Sequence, residues 1–352
     1  MRLLVTGAAG FIGTNFVRQA LGVDGEVASP VERLVAVDLL TYAGNFANLA
    51  DLTADPRFRF ERLDIAERAA MTALLREERP DAIVNFAAES HVDRSIADQA
   101  PFLHTNVHGT LALLDATRTV GGVQRFLQVS TDEVYGSIPT GRATEERAAR
   151  PSSPYAASKT AADAFVLAYA MTFGVPAVIT RCSNNYGPYQ FPEKLIPLFI
   201  TNALDGHPLP LYGDGQNVRD WIHVSDHCAA LRHVLGLVGA EGGIFNVSAH
   251  DERPNRTVTD LILGLTGQPS DLVRYVSDRP GHDRRYALDS SLLRAAGWRP
   301  QHGFEDGLAA TVEWYRTHRA WWEAVKSGAY REYYRAMYAD RLRDASGGPP
   351  RS

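Results

Sequence analysis

Cysteine is scarce in this chain, and what little there is forms no pattern. Two thiols in 352 residues, Cys182 and Cys228, supply neither a disulfide framework nor a metal-ligand spacing, so both are expected to be buried structural thiols. Cys228 with His223 and His227 lacks the spacing of a zinc site, and no metal is expected. There is no surplus of basic charge either: 36 Lys and Arg stand against 41 Asp and Glu, a net charge of −5. That balance gives no electrostatic footprint for nucleic acid, and no nucleic-acid partner is expected. No apolar run approaches the roughly 20 residues that span a bilayer, so no membrane helix is expected. A leader peptide is not expected, because Arg2–Thr6 already reads as a buried strand that enters a glycine loop. The cytoplasm follows as the expected compartment.

What the chain does contain is an alternation of apolar strands and helix-like stretches, the pattern of a doubly wound parallel sheet. The strand at 2–6 runs into Gly7-Ala8-Ala9-Gly10-Phe11-Ile12-Gly13 and then into a helix-like stretch to about Leu21. Glycines in that position let the backbone turn tightly and approach a pyrophosphate at a helix N-terminus, where free N–H groups favour anions. The spacing is G-x-x-G-x-x-G, so order of elements carries the argument more than the motif itself. A second apolar run, 33–37, ends in Asp38, a carboxylate suited to the ribose hydroxyls of NAD and repellent to a 2′-phosphate. Further strands are expected at 58–63, 82–86, 124–130 and 177–181, and helices near 67–78, 101–120 and 155–173. Asp64-Ile65 follows the third strand, where the carboxylate suits either an adenine amino group or a local cap. Phe86, Ala87 and Ala88 follow the fourth strand and would pass beside the ribose and nicotinamide.

Beyond Arg181 the pattern loosens into Asn-, Gly- and Pro-rich loops, which marks a second, substrate-facing region. The expected division places 1–182, with a return segment near 220–247 that includes a helix over 222–237, in the dinucleotide-binding region. A smaller mixed α/β region takes 183–219 and 248–345, and residues 346–352, Gly-Gly-Pro-Pro-Arg-Ser with the preceding serine, form a disordered tail. Trp314, Tyr315, Trp321, Trp322, Tyr330, Tyr333, Tyr334 and Tyr338 recur at helix-like spacing and are expected to pack terminal helices on the second region.

Chemistry concentrates at Thr131-Asp132-Glu133 and at Tyr155-Ala156-Ala157-Ser158-Lys159. A Tyr and a Lys at i and i+4 share a helix face, and the ammonium can lower the phenol pKa by stabilising its anion. That suits a base for an alcohol proton as the alcohol loses hydride to a nicotinamide. Alcohol oxidation alone has no use for the Asp-Glu pair; elimination of water does. Arg219, Lys194 and Arg279 are candidate partners of a diphosphate, Arg because its fork matches phosphate oxygens; His282 could add a donor, and Tyr212 could stack on a base.

These residues carry a resemblance. Thr6 to Gly13 with Tyr155-x-x-x-Lys159 resembles the extended short-chain dehydrogenase/reductase family. Ala87 to Ser95, Ser130 to Gly136, Asn184-Asn185-Tyr186-Gly187-Pro188 and Arg279 to Asp283 resemble its dTDP-glucose 4,6-dehydratase members, over residues 1 to about 340. The resemblance implies a Rossmann-type domain holding NAD, a dTDP-sugar substrate, and a homodimer formed through the helices at 101–120 and 155–173. It further implies that Thr41, Thr105 and Asn185 contact the cofactor, and that Ser90, Asn184, Leu195, Pro210 and Asn255 contact the sugar nucleotide. On this pattern Tyr155 takes the C4 hydroxyl proton, Thr131 bonds the same oxygen, and Lys159 holds the nicotinamide ribose. Glu133 removes the C5 proton and Asp132 protonates the departing C6 hydroxyl; the residues themselves do not order that pair. A 4-epimerase or decarboxylase shares the cofactor and the Tyr-Lys couple but needs no acid pair, and a non-catalytic NAD sensor needs neither.

Overall fold

Six apolar runs in the first half of the chain become the strands β1 (Arg2–Thr6), β2 (Arg33–Asp38), β3 (Phe58–Arg62), β4 (Ala82–Asn85), β5 (Arg125–Thr131) and β6 (Ala177–Cys182) of a computed structural model. It describes residues 1–23, 31–278 and 280–327, together with 330, 332, 334, 337, 338, 341, 342 and 345. The strands pair in parallel in the order β10-β6-β5-β4-β1-β2-β3, where β10 is Ile244–Val247. Their side chains are buried on both faces: Leu3, Val5 and Ala36 pack in one core cluster, Leu4, Val35 and Ile83 in another. This is why the strands read as continuous apolar runs and do not alternate.

Strand order reverses between β1 and β4, the switch point at which open α/β sheets bind ligands at the carboxyl ends of their strands. The helix Phe11–Leu21 starts there, and the helix Pro154–Phe173 starts one strand further along. The second helix is specified locally: Ser153 accepts the Ala156 N–H at 3.1 Å as N-cap, Pro154 opens the first turn, and Gly174 ends it in the left-handed conformation.

The smaller region is mixed, as expected. β7 (Asn184–Tyr186) runs parallel to β9 (Val218–His223), which pairs antiparallel with β11 (Glu252–Pro254); β8 (Leu209–Tyr212) and β12 (Val273–Val276) form a parallel pair. Its core gathers Tyr186, Trp221, Phe304, Tyr315, Trp322 and Tyr338 around the helices Leu195–Leu204, Asn255–Thr266, Phe304–Thr317 and Arg319–Val325. Tyr333 and the tail 346–352 lie outside the described residues, as do 24–30 and Arg279. Both cysteines are buried and free, and no helix among the described residues is long and apolar enough to cross a membrane.

Three elements differ from expectation. The helix expected over 222–237 begins at Val224, because Ile222 and His223 finish β9 against Asn185 and Tyr186. β10, too short a run to register as a strand, closes the large sheet against β6. The helix expected at 101–120 is interrupted by a π-helical stretch, Leu103–Gly109. Within it Asn106 accepts the Glu89 N–H at 2.9 Å and donates to the Glu89 carbonyl and to Ser158 Oγ. The wider turn thus fastens the 87–90 loop to the Tyr155 helix.

The glycine loop is a close backbone approach. Gly7 has φ +64°, and a Cβ there would lie 2.6 Å from the Ala87 nitrogen; a Cβ on Gly13 would lie 2.2 Å from the Gly7 carbonyl oxygen. Neither neighbour is a side chain that can swing away. Gly13→Ala is expected to cost roughly 1–3 kcal/mol of stability, read as a lowered urea midpoint at unchanged slope, and to weaken dinucleotide binding at the same loop.

Candidate active site

Every candidate site residue except the undescribed Arg279 lines one cleft of about 430 Å³ at the carboxyl ends of β1, β2, β4 and β5. That is a volume typical of small-molecule sites. At its first end, the helix Phe11–Leu21 has Gly10 as N-cap with no side-chain bond to its first turn, which leaves backbone donors and the positive end of the dipole facing the cleft. Asp38 ties this loop together: its carboxylate accepts the Ala9 N–H at 2.9 Å and the Leu40 N–H at 2.8 Å. Burial raises its pKa, and those two donors oppose the rise. Asp64 accepts the Ala66 N–H at 2.9 Å and pairs with His104 at 2.8 Å. Its capping bond closes a turn before the helix Arg68–Glu78, whose own N-cap is Glu67.

The catalytic candidates meet at the centre. Thr131 ends β5, and its hydroxyl accepts the Glu133 N–H at 3.2 Å, opening the 3₁₀ turn Asp132–Tyr135. Tyr155 and Lys159 are both buried on their helix, and the Tyr155 phenol bonds the Thr131 hydroxyl. Asp132 is 4% exposed. One of its oxygens accepts from Thr131 Oγ1 at 3.2 Å, and the other makes no hydrogen bond. Burial pushes its carboxyl well above the usual range, the charges of Glu133 and Asp220 push it further, and Arg219 opposes them. Burial and like charge thus favour the protonated form of Asp132, the form an acid needs.

Lys159 does not act on the phenol as expected. Its ammonium donates to the Val129 carbonyl at 2.8 Å, and the Tyr155 pKa lies well above 10, raised first by burial and then by the Glu133 carboxylate. Sharing a helix face does not aim the ammonium at the ring. Cys182, beside them, is pushed up to about 12 by burial, with Asp132 next, and is inert as a nucleophile.

At the second end, Lys194 donates to the Ser90 carbonyl at 3.0 Å. Arg219 donates to the Asp283 and Val218 carbonyls and meets His282 Nε2 at 2.8 Å. A guanidinium can only donate, so His282 Nε2 accepts and the ring proton sits on Nδ1, facing Asp278 at 2.6 Å. His282 is thus spent on holding Arg219; the expected ring donor toward the ligand is not there. Tyr212 bonds Asp93 at 3.4 Å and accepts from Arg341 at 2.6 Å. Among the cleft-lining oxygens buried without a hydrogen bond are Ser183 Oγ, Asn184 Oδ1 and Asn255 Oδ1. Such orphaned groups mark where a polyhydroxylated ligand would bond.

Sequence reasoning missed two carboxyls. Glu193, whose side chain is 2% exposed, accepts the Tyr42 hydroxyl at 3.1 Å, with Arg94 and His91 at 3.7 and 3.8 Å. Burial lifts it to about 7 against the pull of Lys194 and Arg94. Asp220 accepts from Ser248 and from the Asp251 N–H and is lifted by burial to about 6. Nothing in the spacing of Glu193-Lys194 or Arg219-Asp220 distinguishes them from solvated pairs. Among the described residues no cluster of His, Cys, Asp and Glu is arranged to hold a metal ion.

The model of the GDP-mannose 4,6 dehydratase family matches residues 4–311. The dTDP-glucose 4,6-dehydratase of an Actinoplanes species is 50% identical over 323 residues, covering 92% of this chain and 100% of that protein. The Escherichia coli K12 dTDP-glucose 4,6-dehydratase 1 is 44% identical, covering 97% and 100%. Among solved structures, the dTDP-glucose 4,6-dehydratase DesIV of Streptomyces venezuelae, with NAD and dTDP bound, superposes with a TM-score of 0.88 at 53% identity, covering 93% and 100%. A Thermus thermophilus UDP-glucose 4-epimerase with NAD gives 0.81 at 33%, covering 90% and 100%. With a glycine cradle, a Tyr-Lys helix and an acid pair converging on one cleft, and with these likenesses along nearly its whole length, the chain belongs to the GDP-mannose 4,6-dehydratase family and groups with the dTDP-glucose 4,6-dehydratases.

Proposed function

We propose that this protein converts dTDP-glucose to dTDP-4-keto-6-deoxyglucose, with NAD as resident cofactor. The observation that carries the reading is Asp132: a buried carboxyl whose pKa is raised by burial and by its acidic neighbours, with one oxygen that makes no hydrogen bond, in the same cleft as Tyr155 and one residue from Glu133. An epimerase has no work for it.

Losing water across C5 and C6 is difficult because the C5 proton is not acidic; a ketone at C4 makes it so. When bound, NAD would supply the hydride acceptor for C4, the hydride donor for C6, and a positive charge that favours the Tyr155 phenolate. The pyrophosphate fits the glycine cradle, where Cβ atoms would collide with backbone, the adenosine ribose fits Asp38, and Lys159 holds the nicotinamide ribose. Tyr155, as the phenolate and beside Thr131, accepts the C4 hydroxyl proton. Glu133 then takes the C5 proton, while Asp132 gives its proton to the C6 oxygen so that water leaves. Glu133 returns a proton to C5 once C6 is reduced. Arg219, with Lys194 and Arg279, serves the diphosphate, and Asn184 and Asn255 bond the sugar nucleotide.

The reading includes the division of the chain given above, a cytoplasmic setting that suits two free thiols, and a homodimer. Leu103, Phe165, Met171 and Phe173 stay exposed around the helices named for it, Met171 at 91%, and a self-complementary apolar helix face suits a two-fold interface.

Asp132→Asn and Glu133→Gln are each expected to lower product formation about 10²–10⁴-fold, followed by the alkali-induced absorbance of the keto sugar. Glu133→Gln should also stop solvent deuterium entering C5; full turnover in both variants would refute the assignment. Since the reaction needs Asp132 protonated and burial raises its pKa, turnover is expected to fall as pH rises through that raised pKa, later than it would for an exposed carboxyl. A flat alkaline profile would contradict this. For the dimer, Phe165→Glu with Met171→Glu is expected to halve the mass seen in sedimentation velocity, and an unchanged mass would place the interface elsewhere.

A further inference from the structure

Behind Lys159 lies a charge that the reaction scheme does not use. Asp163 sits one turn further along the same helix, so the two side chains share a face. Asp163 is 2% exposed, Lys159 3% and Arg181 6%. Asp163 Oδ2 accepts from Arg181 Nε at 3.0 Å. The guanidinium in turn lies 4.8 Å from the centre of the Tyr135 ring, and Tyr135 ends the turn that carries Asp132 and Glu133. Its hydroxyl donates to Asn246 Oδ1 at 3.0 Å. Three buried groups thus connect the Tyr-Lys helix, β6 and the acid-pair turn.

A buried ammonium and a buried guanidinium each lose their hydration, and leaving either without a counter-charge is strongly destabilising. Lys159 faces Tyr155 and Asp163 from its own helix, Cys182 and, beyond Asp163, Arg181 from β6, and Ser130 with the Val129 carbonyl from β5; Asp132 and Glu133 stand past Tyr155. Burial pulls the ammonium pKa down, and Asp163 is the foremost group holding it up, ahead of Cys182. We propose that Asp163 is the positioning counter-charge of Lys159, and that Arg181 fixes Asp163 while tying its helix, through the Tyr135 ring, to the acid-pair turn. Asp163 touches no reacting atom; it acts through Lys159. The inference rests on the role given to Lys159 in the proposed function.

The test reads NADH binding by fluorescence across pH on the full chain stripped of nucleotide, beside dTDP-glucose turnover of the parent protein. Binding is expected to fail at alkaline pH as Lys159 loses its proton. Asp163→Asn should move that break down by about one pH unit or more. The double variant Asp163→Asn with Arg181→Met, which buries no unpaired guanidinium, should fold and show the same downward break. Arg181→Met alone leaves Asp163 wholly to Lys159 and should move the break up, whereas a merely structural loss would not raise it. The proposal is overturned if a folded double variant breaks at the parental pH, or if Arg181→Met, whether or not it is the one variant that folds, fails to raise the break. A parent protein that binds NADH with this pH dependence yet leaves dTDP-glucose untouched would sink the substrate reading and leave this one standing.

Discussion

A carboxyl group sealed in a protein beside two other carboxylates holds its proton more tightly, because ionisation there forfeits water and meets like charge. Asp132 occupies such a place, with Glu133 next to it in the chain and Asp220 across the sheet edge. The fold creates that environment. β5 delivers Thr131 to the switch-point edge, the 3₁₀ turn folds Asp132 inward, and Tyr135 anchors the turn in a small apolar cluster with Val134 and Leu288. The half-buried Glu133 carboxylate then raises not only Asp132 but also the phenols of Tyr155 and Tyr286. Burial comes first for all three groups, and this one negative charge adds to it at each.

Much of this was legible in the chain itself, for identifiable reasons. The parallel strands announced themselves because both faces are buried, and the cradle did so because Gly7 and Gly13 stand where backbone meets backbone. The helix with Tyr155 and Lys159 carries its own cap and stop in Ser153, Pro154 and Gly174. Periodicity could place Tyr155 and Lys159 on one face, yet it could not say that the ammonium turns toward a strand carbonyl. Nor could it see that Ile222 and His223 belong to a strand, since an apolar residue before a helix looks the same whether it pairs laterally or caps. His282 shows the limit most plainly: a histidine beside arginines suggests a donor to phosphate, and only the three-dimensional pairing with Arg219 and Asp278 assigns its proton elsewhere. Glu193 and Asp220 were invisible because burial, not composition, makes them unusual.

The second region contributes polarity without charge at the place where a sugar would lie. Asn184 and Asn255 arrive from different elements, β7 and the start of the Asn255–Thr266 helix, and neither amide oxygen is satisfied within the protein. Cations stand further out, with Arg219 braced by two carbonyls, by His282 and by the Tyr286 ring 4.4 Å away. In the proposed reading, neutral amides would meet the hexose and a stiffened guanidinium its diphosphate, which separates recognition of the sugar from recognition of its carrier.

The two regions are also stitched across the cradle. Asn15 donates to the Pro188 carbonyl at 3.0 Å, Tyr42 to Glu193, and the Trp321 indole to Asn48 at 2.8 Å. Each bond joins a segment flanking the glycine loop to one from the opposite wall. Opening the cleft between those walls would break several of these links together. The redox balance of the proposed reaction asks for such a fixed cleft and nothing more, since a hydride taken from C4 and given to C6 leaves the coenzyme as it began.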